Sequence, residues 1–174
     1  MFVSRPRLKS HAKKTISAVT GSAVGGGVRI ALFDTNFDIA VVVAAILSFI
    51  IGGIWYSRPV FGKAWMAVLG KTEADMEAMR KQAPKGVAGG LIGSFIASLI
   101  LAIFLEYGRL ANVGLPGGAG GGLVVGFLAW FGFLMTTTVT GGIFEGRPGK
   151  LVGINVGHTF VAYLIMGLIL GVWI

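Results

Sequence analysis

Polar side chains placed within two long apolar stretches are the residues of this sequence best suited to chemistry. One group is a run of threonines, and the other lies further along the chain around His158. His158 titrates near neutral pH, and an ionisable residue inside an apolar span is a candidate for function. The candidate patch comprises Thr136, Thr137, Thr140, Glu145, Asn155 and His158.

Two interpretations of this patch remain open. Hydroxyl and amide groups hydrogen-bond between helices in lipid, so the first interpretation is a structural network. The alternative is a path for a proton or a small solute that uses His158 as its titrating group. The first interpretation needs no ligand, whereas the second predicts a transporter or channel.

Catalysis is not expected from the remaining residues. The chain contains no cysteine and two histidines, which excludes thiolate metal sites and thiol nucleophiles. Its loops offer no paired nucleophile and base, no metal-ligand cluster and no phosphate-binding loop. The sequence therefore predicts no catalytic residue, no metal site and no cofactor, and the protein is not expected to be an enzyme.

Long uncharged stretches are the elements that must position the patch. The 15 basic and 7 acidic residues fall into four groups, and each gap between them is long enough for the roughly 20 residues that cross a bilayer. The mean hydropathy of +0.83 also indicates a chain surrounded by lipid. The predicted fold is all-α, with four transmembrane helices at about residues 39–57, 86–106, 121–144 and 151–173. The glycine-rich residues 114–122 are poor helix material, so the third span is expected to start near Gly121, after a tight external loop that contains Pro116.

The formal net charge of +8 indicates membrane topology rather than nucleic-acid binding. The first and third loops are rich in Lys and Arg, whereas the second loop holds only Arg109. Since basic loops stay in the cytoplasm, the first and third loops are predicted to be cytoplasmic in a bacterial inner membrane. Aromatic and Arg side chains near the helix ends are expected to be interface anchors: Trp55, Tyr56, Arg58, Trp65 and Arg147.

Residues 1–37 differ in composition from the expected membrane domain, residues 38–174. This segment is basic, contains Ser, Thr and Gly, and has no acidic residue before Asp34. It is expected to be a disordered basic tail. The alternative is a targeting extension such as a transit peptide, which would direct the protein to an organelle membrane.

Two internal features refine the expected architecture. Residues 52–59 and 141–148 share five of eight positions, including an Arg-Pro pair, which indicates two duplicated helical hairpins. In the first loop, apolar residues from Phe61 to Leu69 follow a helical period. That period predicts an amphipathic helix lying in the membrane interface.

Glycines recur at helical spacing in the second, third and fourth spans. Small residues let helices approach closely in lipid. The predicted packing positions are Gly89, Gly93, Gly122, Gly126, Gly153 and Gly157. Because the fourth span carries small residues on one side and polar residues on the other, we expect a homo-oligomer or a subunit of a larger membrane complex. The lipid bilayer is the other expected partner, and no nucleic acid is expected.

Two segments resemble the family known as domain of unknown function 1761. The first is Gly-Gly-Ile-Trp-Tyr-Ser-Arg-Pro-Val-Phe-Gly-Lys-Ala-Trp-Met at residues 52–66, and the second runs from Thr136 through Arg147-Pro148 to Ile154-Asn155. The resemblance covers about residues 38–174 and implies a small four-helix integral membrane protein with no established activity. The sequence thus favours a non-catalytic helix-packing or assembly module. The alternative is a small-solute or proton transporter or channel that uses the polar patch.

Overall fold

The computed structural model describes residues 35–81 and 83–174, which form helices joined by turns, with no strand among them. In chain order the helices are α1 (Thr35–Trp55), α2 (Lys63–Val68), α3 (Glu73–Lys81), α4 (Ala83–Leu110), α5 (Gly118–Phe144) and α6 (Gly149–Trp173). Of these, α1, α4, α5 and α6 are long and apolar enough to cross a membrane. The predicted all-α fold with four spanning helices is confirmed. The predicted tail, residues 1–37, lies outside the described residues apart from its last three, which begin α1.

The four long helices begin two to four residues before the predicted spans. The difference matters most for α5, which begins at Gly118, inside the segment expected to be an external loop. Glycine in a helix costs roughly 1 kcal/mol relative to alanine. Close packing offsets that cost here, because Gly122 and Gly126 lie against the backbone of α6 where no side chain would fit. The external loop is therefore shorter than expected.

The closest helix contact joins α5 and α6. A methyl group added at Gly122 would overlap the carbonyl oxygen of Gly167, and one added at Gly167 would overlap the carbonyl oxygen of Gly122. Gly171 also lies close to the start of α5, since a Cβ there would be 2.5 Å from the carbonyl oxygen of Gly118. Backbones approach this closely only where side chains are absent, which is how small residues drive helix association in lipid.

The helix α6 is at the centre of the bundle, and α4 is at its edge. α6 packs against α1, α4 and α5, whereas α4 packs mainly on α1. The hydroxyl of Ser98 in α4 donates to the carbonyl oxygen of Val41 in α1 at 2.9 Å, and both residues are fully buried. Because α4 contacts α5 and α6 much less, open grooves remain on both sides of it.

The connection from α1 to α4 is structured in its described part. It starts with a π-helical turn, Arg58–Gly62, after which α2 buries Met66. The start of α3 is capped by Thr72, whose hydroxyl accepts the amide of Asp75 at 3.2 Å. The backbone N–H and the hydroxyl of Thr72 both donate to the Asp75 carboxylate. These two bonds lower the pKa of Asp75, and the backbone bond is the larger cause. That α2 lies in the membrane interface stays a prediction, as does the duplication of the hairpins.

Candidate functional site

Two aromatic side chains tie the end of α1 to α6. Nε1 of Trp55 donates to the carbonyl oxygen of Ile154 at 3.1 Å, and the hydroxyl of Tyr56 donates to Oδ1 of Asn155 at 2.9 Å. Asn155, a member of the predicted patch, therefore bonds to the aromatic residue that directly follows α1.

His158 lies one turn further along α6, against the same aromatic pair. The centroid of its ring is 5.1 Å from that of Tyr56 and 6.2 Å from that of Trp55. Its Nε2 atom is buried and has no hydrogen-bond partner among the described residues. Gly52 of α1 covers this atom, since a Cβ at Gly52 would be 3.1 Å from Nε2. An unsatisfied buried polar group costs roughly 1–3 kcal/mol, so its presence requires an explanation.

A groove of about 540 Å³ opens beside His158, between α1 and α4. This volume lies within the roughly 300–1,000 Å³ typical of small-molecule sites. Glycines and apolar side chains form most of its wall, and the polar side chains that line it are Ser48, Tyr56, Ser94 and His158. Among the described residues, no carboxylate lines this groove. We call it the His158 groove.

The threonines of α5 lie elsewhere. The hydroxyl of Thr136 donates to the carbonyl oxygen of Gly132 at 2.7 Å, and that of Thr137 donates to the carbonyl oxygen of Phe133 at 2.5 Å. Thr140 is exposed on the same helix. Hydrogen bonds of this kind satisfy a hydroxyl within its own helix and need no partner helix. The structure therefore does not bring these three threonines to the His158 groove.

Glu145 lies at the exposed turn between α5 and α6. Its Oε2 accepts a hydrogen bond from Nε of Arg147 at 2.6 Å and is 2.5 Å from Nη2 of the same guanidinium. Both side chains are about half exposed, so solvent screens the pair and its contribution to stability is small. The members of the predicted patch thus occupy three places, and only Asn155 and His158 lie near the groove. A joint role for all six stays a prediction.

Trp130 is a residue of this region that the sequence reasoning missed. It begins a π-helical segment within α5, Trp130–Met135, and such segments often occur at functional sites. Its Nε1 is 3.2 Å from both the carbonyl oxygen of Val156 and Oγ1 of Thr159, to which it donates. A tryptophan N–H midway along an apolar span is surrounded by lipid and needs a hydrogen-bond partner within the protein. This requirement is the sequence signal that could have identified Trp130.

The predicted packing glycines fall into two classes. The first class contacts the chain itself: Gly122 and Gly126 meet the backbone of α6, and Gly157 meets the ring of Trp55. The second class has no atom within 4 Å of the place that a Cβ would take: Gly89, Gly93 and Gly153. The spacing of glycines along one helix does not separate these classes, because the spacing does not show which neighbouring helix lies beside each glycine.

The predicted interface anchors have different surroundings. Trp55 and Tyr56 are half-buried and face α6, and Trp65 of α2 packs edge to face on Tyr56 with ring centroids 5.8 Å apart. Arg58 and Arg147 are exposed. These two arginines lie at the same end of the bundle, because the end of α1 contacts the start of α6. The anchoring role of the five residues stays a prediction.

No group of three or more His, Cys, Asp or Glu side chains in the described ranges is placed to hold a metal ion. A family model described as a protein of unknown function, DUF1761, matches residues 39–171. No curated protein and no solved structure matches the chain.

Proposed function

The chain belongs to the DUF1761 family of proteins of unknown function, and we propose that it is a non-catalytic membrane protein that assembles with a second copy of itself through α4. The observation that carries this proposal is a row of exposed glycines with open space above them. We call this row the glycine face of α4, and it comprises Gly86, Gly89 and Gly93.

The glycine face weakens α4 without a compensating contact inside the described chain. Each glycine costs roughly 1 kcal/mol relative to alanine in a helix, and a Cβ at any of the three would meet no atom within 4 Å. In α5 and α6 the same cost is offset by close contact between the two backbones. A second helix packed on the glycine face would offset it in α4 for the same reason.

The attachment of α4 to the bundle leaves this face available. Ser98 is buried against α1, and Gly89 lies nine residues earlier, which at 100° per residue is about 180° around the helix. Gly89 therefore faces away from the bundle. The most apolar window is 17% buried within the chain in both α4 and α5, compared with 33% in α1, but α5 differs from α4 in that Gly122 and Gly126 pack on the backbone of α6. The same face on two copies is self-complementary, as a twofold dimer requires.

The substitution Gly89→Leu tests the proposal with little effect on the fold, because the space beside Gly89 is open. We expect the dimer dissociation constant, measured by single-molecule photobleaching in bilayers, to rise at least about tenfold, equivalent to ~1.4 kcal/mol. Gly132→Leu is the matched control, since Gly132 is exposed on α5 and also has open space beside it. The control is expected to dimerise like the wild type.

Two results would contradict self-assembly through α4. One is a wild-type protein that stays monomeric as the protein-to-lipid ratio is raised. The other is an equal loss of dimer in Gly89→Leu and Gly132→Leu, which would mean that the bulk added at a lipid-exposed position, rather than the glycine face, determines the result.

A second candidate function is movement of a proton or a small solute along the His158 groove. The unpartnered Nε2 of His158 favours it, because ionisable residues inside membrane spans mark proton relays and solute paths. The composition of the groove favours it less, since proton relays usually place carboxylates near the histidine and no carboxylate lines the described groove.

A further inference from the structure

The first loop begins with a segment, residues 58–69, that is folded back on the end of α1. A Cβ at Gly62 would be 2.5 Å from the carbonyl oxygen of Tyr56, and the ring centroid of Phe61 is 4.5 Å from that of Trp55. The 21 residues of α1 rise by about 32 Å at 1.5 Å per residue, which matches the roughly 30 Å thickness of the hydrocarbon core. The segment is therefore held where α1 leaves the apolar part of the bilayer. We call it the boundary segment.

Apolar side chains are exposed along the boundary segment. Val60, Phe61 and Leu69 are 36–45% exposed, whereas Met66 is buried against the rest of the chain. Several exposed apolar groups on one short segment indicate a contact with a protein or a membrane. Since the boundary segment is held at the end of a spanning helix, the surface within its reach is the bilayer itself.

The charge of the boundary segment is entirely positive. It contains Arg58 and Lys63, both exposed, and the nearest acidic residues in the sequence are Asp38 and Glu73. Lys63 forms no ion pair within the described part of the chain. The segment also contacts α6, whose first turn carries the exposed Lys150. Basic residues beside a membrane attract anionic lipids, so the charge selects among the lipids that the segment can reach.

We propose that the boundary segment lies in the headgroup region of the bilayer and binds anionic lipid headgroups. Its apolar side chains enter the interface, and Lys63 reaches the lipid phosphates, with Arg58 adding positive charge. Long basic side chains extend to headgroups in this way while their methylene stems stay in apolar surroundings. The proposal does not rest on self-assembly, because no residue of the boundary segment belongs to the glycine face of α4.

The depth of the boundary segment can be measured in the full chain, because the sequence has no native cysteine to label. Single nitroxides are attached at Val60→Cys and Leu69→Cys in bilayers that contain phosphatidylglycerol and phosphatidylcholine. Electron paramagnetic resonance then compares collisions with oxygen, which enters lipid, and with a nickel chelate, which stays in water. We expect oxygen to dominate at both positions. Ala78→Cys is the control, since Ala78 is exposed on α3, the helix that carries the three acidic residues of the loop.

Selectivity for anionic headgroups is measured with a fluorophore attached at Leu69→Cys. The quenchers are phosphatidylglycerol and phosphatidylcholine, each with a doxyl group near the glycerol end of one chain. We expect phosphatidylglycerol to be favoured about fivefold, the contribution of one basic residue near an anionic surface. Lys63→Gln should remove most of this preference. Lys81→Gln is the matched control, because it removes the same charge from the exposed end of α3 and should keep the preference.

Three results would overturn the proposal. The first is a nickel accessibility at Val60 and Leu69 equal to that at Ala78, which would place the boundary segment in water and favour a soluble partner. The second is equal quenching by the two lipids. The third is an equal effect of Lys63→Gln and Lys81→Gln, because the preference would then follow the charge of the whole loop or neither lysine. Loss of the dimer in Gly89→Leu leaves these measurements unchanged, so the two proposals fail separately.

Discussion

The imidazole of His158 is supported by rings rather than by hydrogen bonds. Its Nε2 has no partner among the described residues, and its neighbours are Tyr56, Trp55 and the backbone of Gly52. A proton relay requires a donor or an acceptor within hydrogen-bond distance on each side of the titrating group. Among the described residues, none forms a hydrogen bond with Nε2.

This arrangement predicts the result of a proton-flux measurement. In proteoliposomes loaded with a pH-sensitive dye, the wild-type protein is expected to carry no more proton flux than protein-free vesicles, because none of the described residues that line the groove is a carboxylate that could exchange a proton with His158. A flux that is present in the wild type and absent in His158→Gln would instead establish the second candidate function. Asn155→Ala is a useful comparison, since it breaks the bond to Tyr56 but keeps the imidazole.

Sequence reasoning located the polar residues of the site better than it located their partners. Asn155 and His158 stand out because they interrupt an apolar span. Tyr56 was expected to anchor the helix end in the interface, yet its hydroxyl donates to Asn155. Hydropathy gives the depth of a residue along a helix but not the neighbour that the residue faces. That choice depends on how the helices pack, which no single-helix pattern contains.

At the scale of helices, glycine has opposite consequences in α4 and in the pair formed by α5 and α6. Gly122 and Gly167 bring two backbones into contact and leave no space for a methyl group. Gly89 lies beside open space. Substitutions at these positions should therefore affect different properties: the stability of the chain in the first case and its association in the second.

The substitution Gly122→Val should destabilise the folded chain strongly. Overpacking a well-packed core costs about 1–3 kcal/mol and sometimes more, and here the obstructing atoms belong to the backbone of α6 and cannot rotate away. We expect a loss of about 3 kcal/mol in the free energy of unfolding, measured by denaturant titration in mixed micelles. Gly132→Val is the matched control on the same helix and should change stability by less than about 1 kcal/mol. Equal losses for the two variants would show that the α5–α6 contact is looser than described.

The four spanning helices could be predicted from the sequence because long uncharged stretches leave few alternatives in lipid. The start of α5 could not be predicted in this way, since helix propensity alone disfavours a helix through the glycine-rich residues 118–122. The contact of Gly122 with Gly167 overrides that preference, and it joins residues 45 positions apart. Local sequence therefore gives the number of helices more securely than the place where a tightly packed helix begins.

The described part of the molecule differs in charge between the two ends of the helix bundle. Tyr56, His158 and the His158 groove lie towards the end that carries the first and third loops. Most of the described Lys and Arg side chains are at this end too, whereas Arg109 lies at the other end, where α4 finishes.

The orientation of the molecule can be measured because the chain has no cysteine. A cysteine introduced by Lys71→Cys, in the first loop, should react with a membrane-impermeant maleimide only after the cells are opened. One introduced by Ala111→Cys, in the second loop, should react in intact cells. Both positions are exposed, so accessibility does not bias the comparison. The reverse pattern would place the first and third loops outside.

The two tryptophan hydrogen bonds to α6 have a dynamic consequence. Trp55 and Trp130 reach the carbonyl oxygens of Ile154 and Val156, two residues apart, from two different helices. This short stretch of α6 therefore restrains α1 and α5 at nearly the same depth. The close contact of Gly122 with Gly167 restrains α5 a second time, nearer the turn that joins α4 to α5, so α5 is held to α6 at two depths and has little freedom to rock against it.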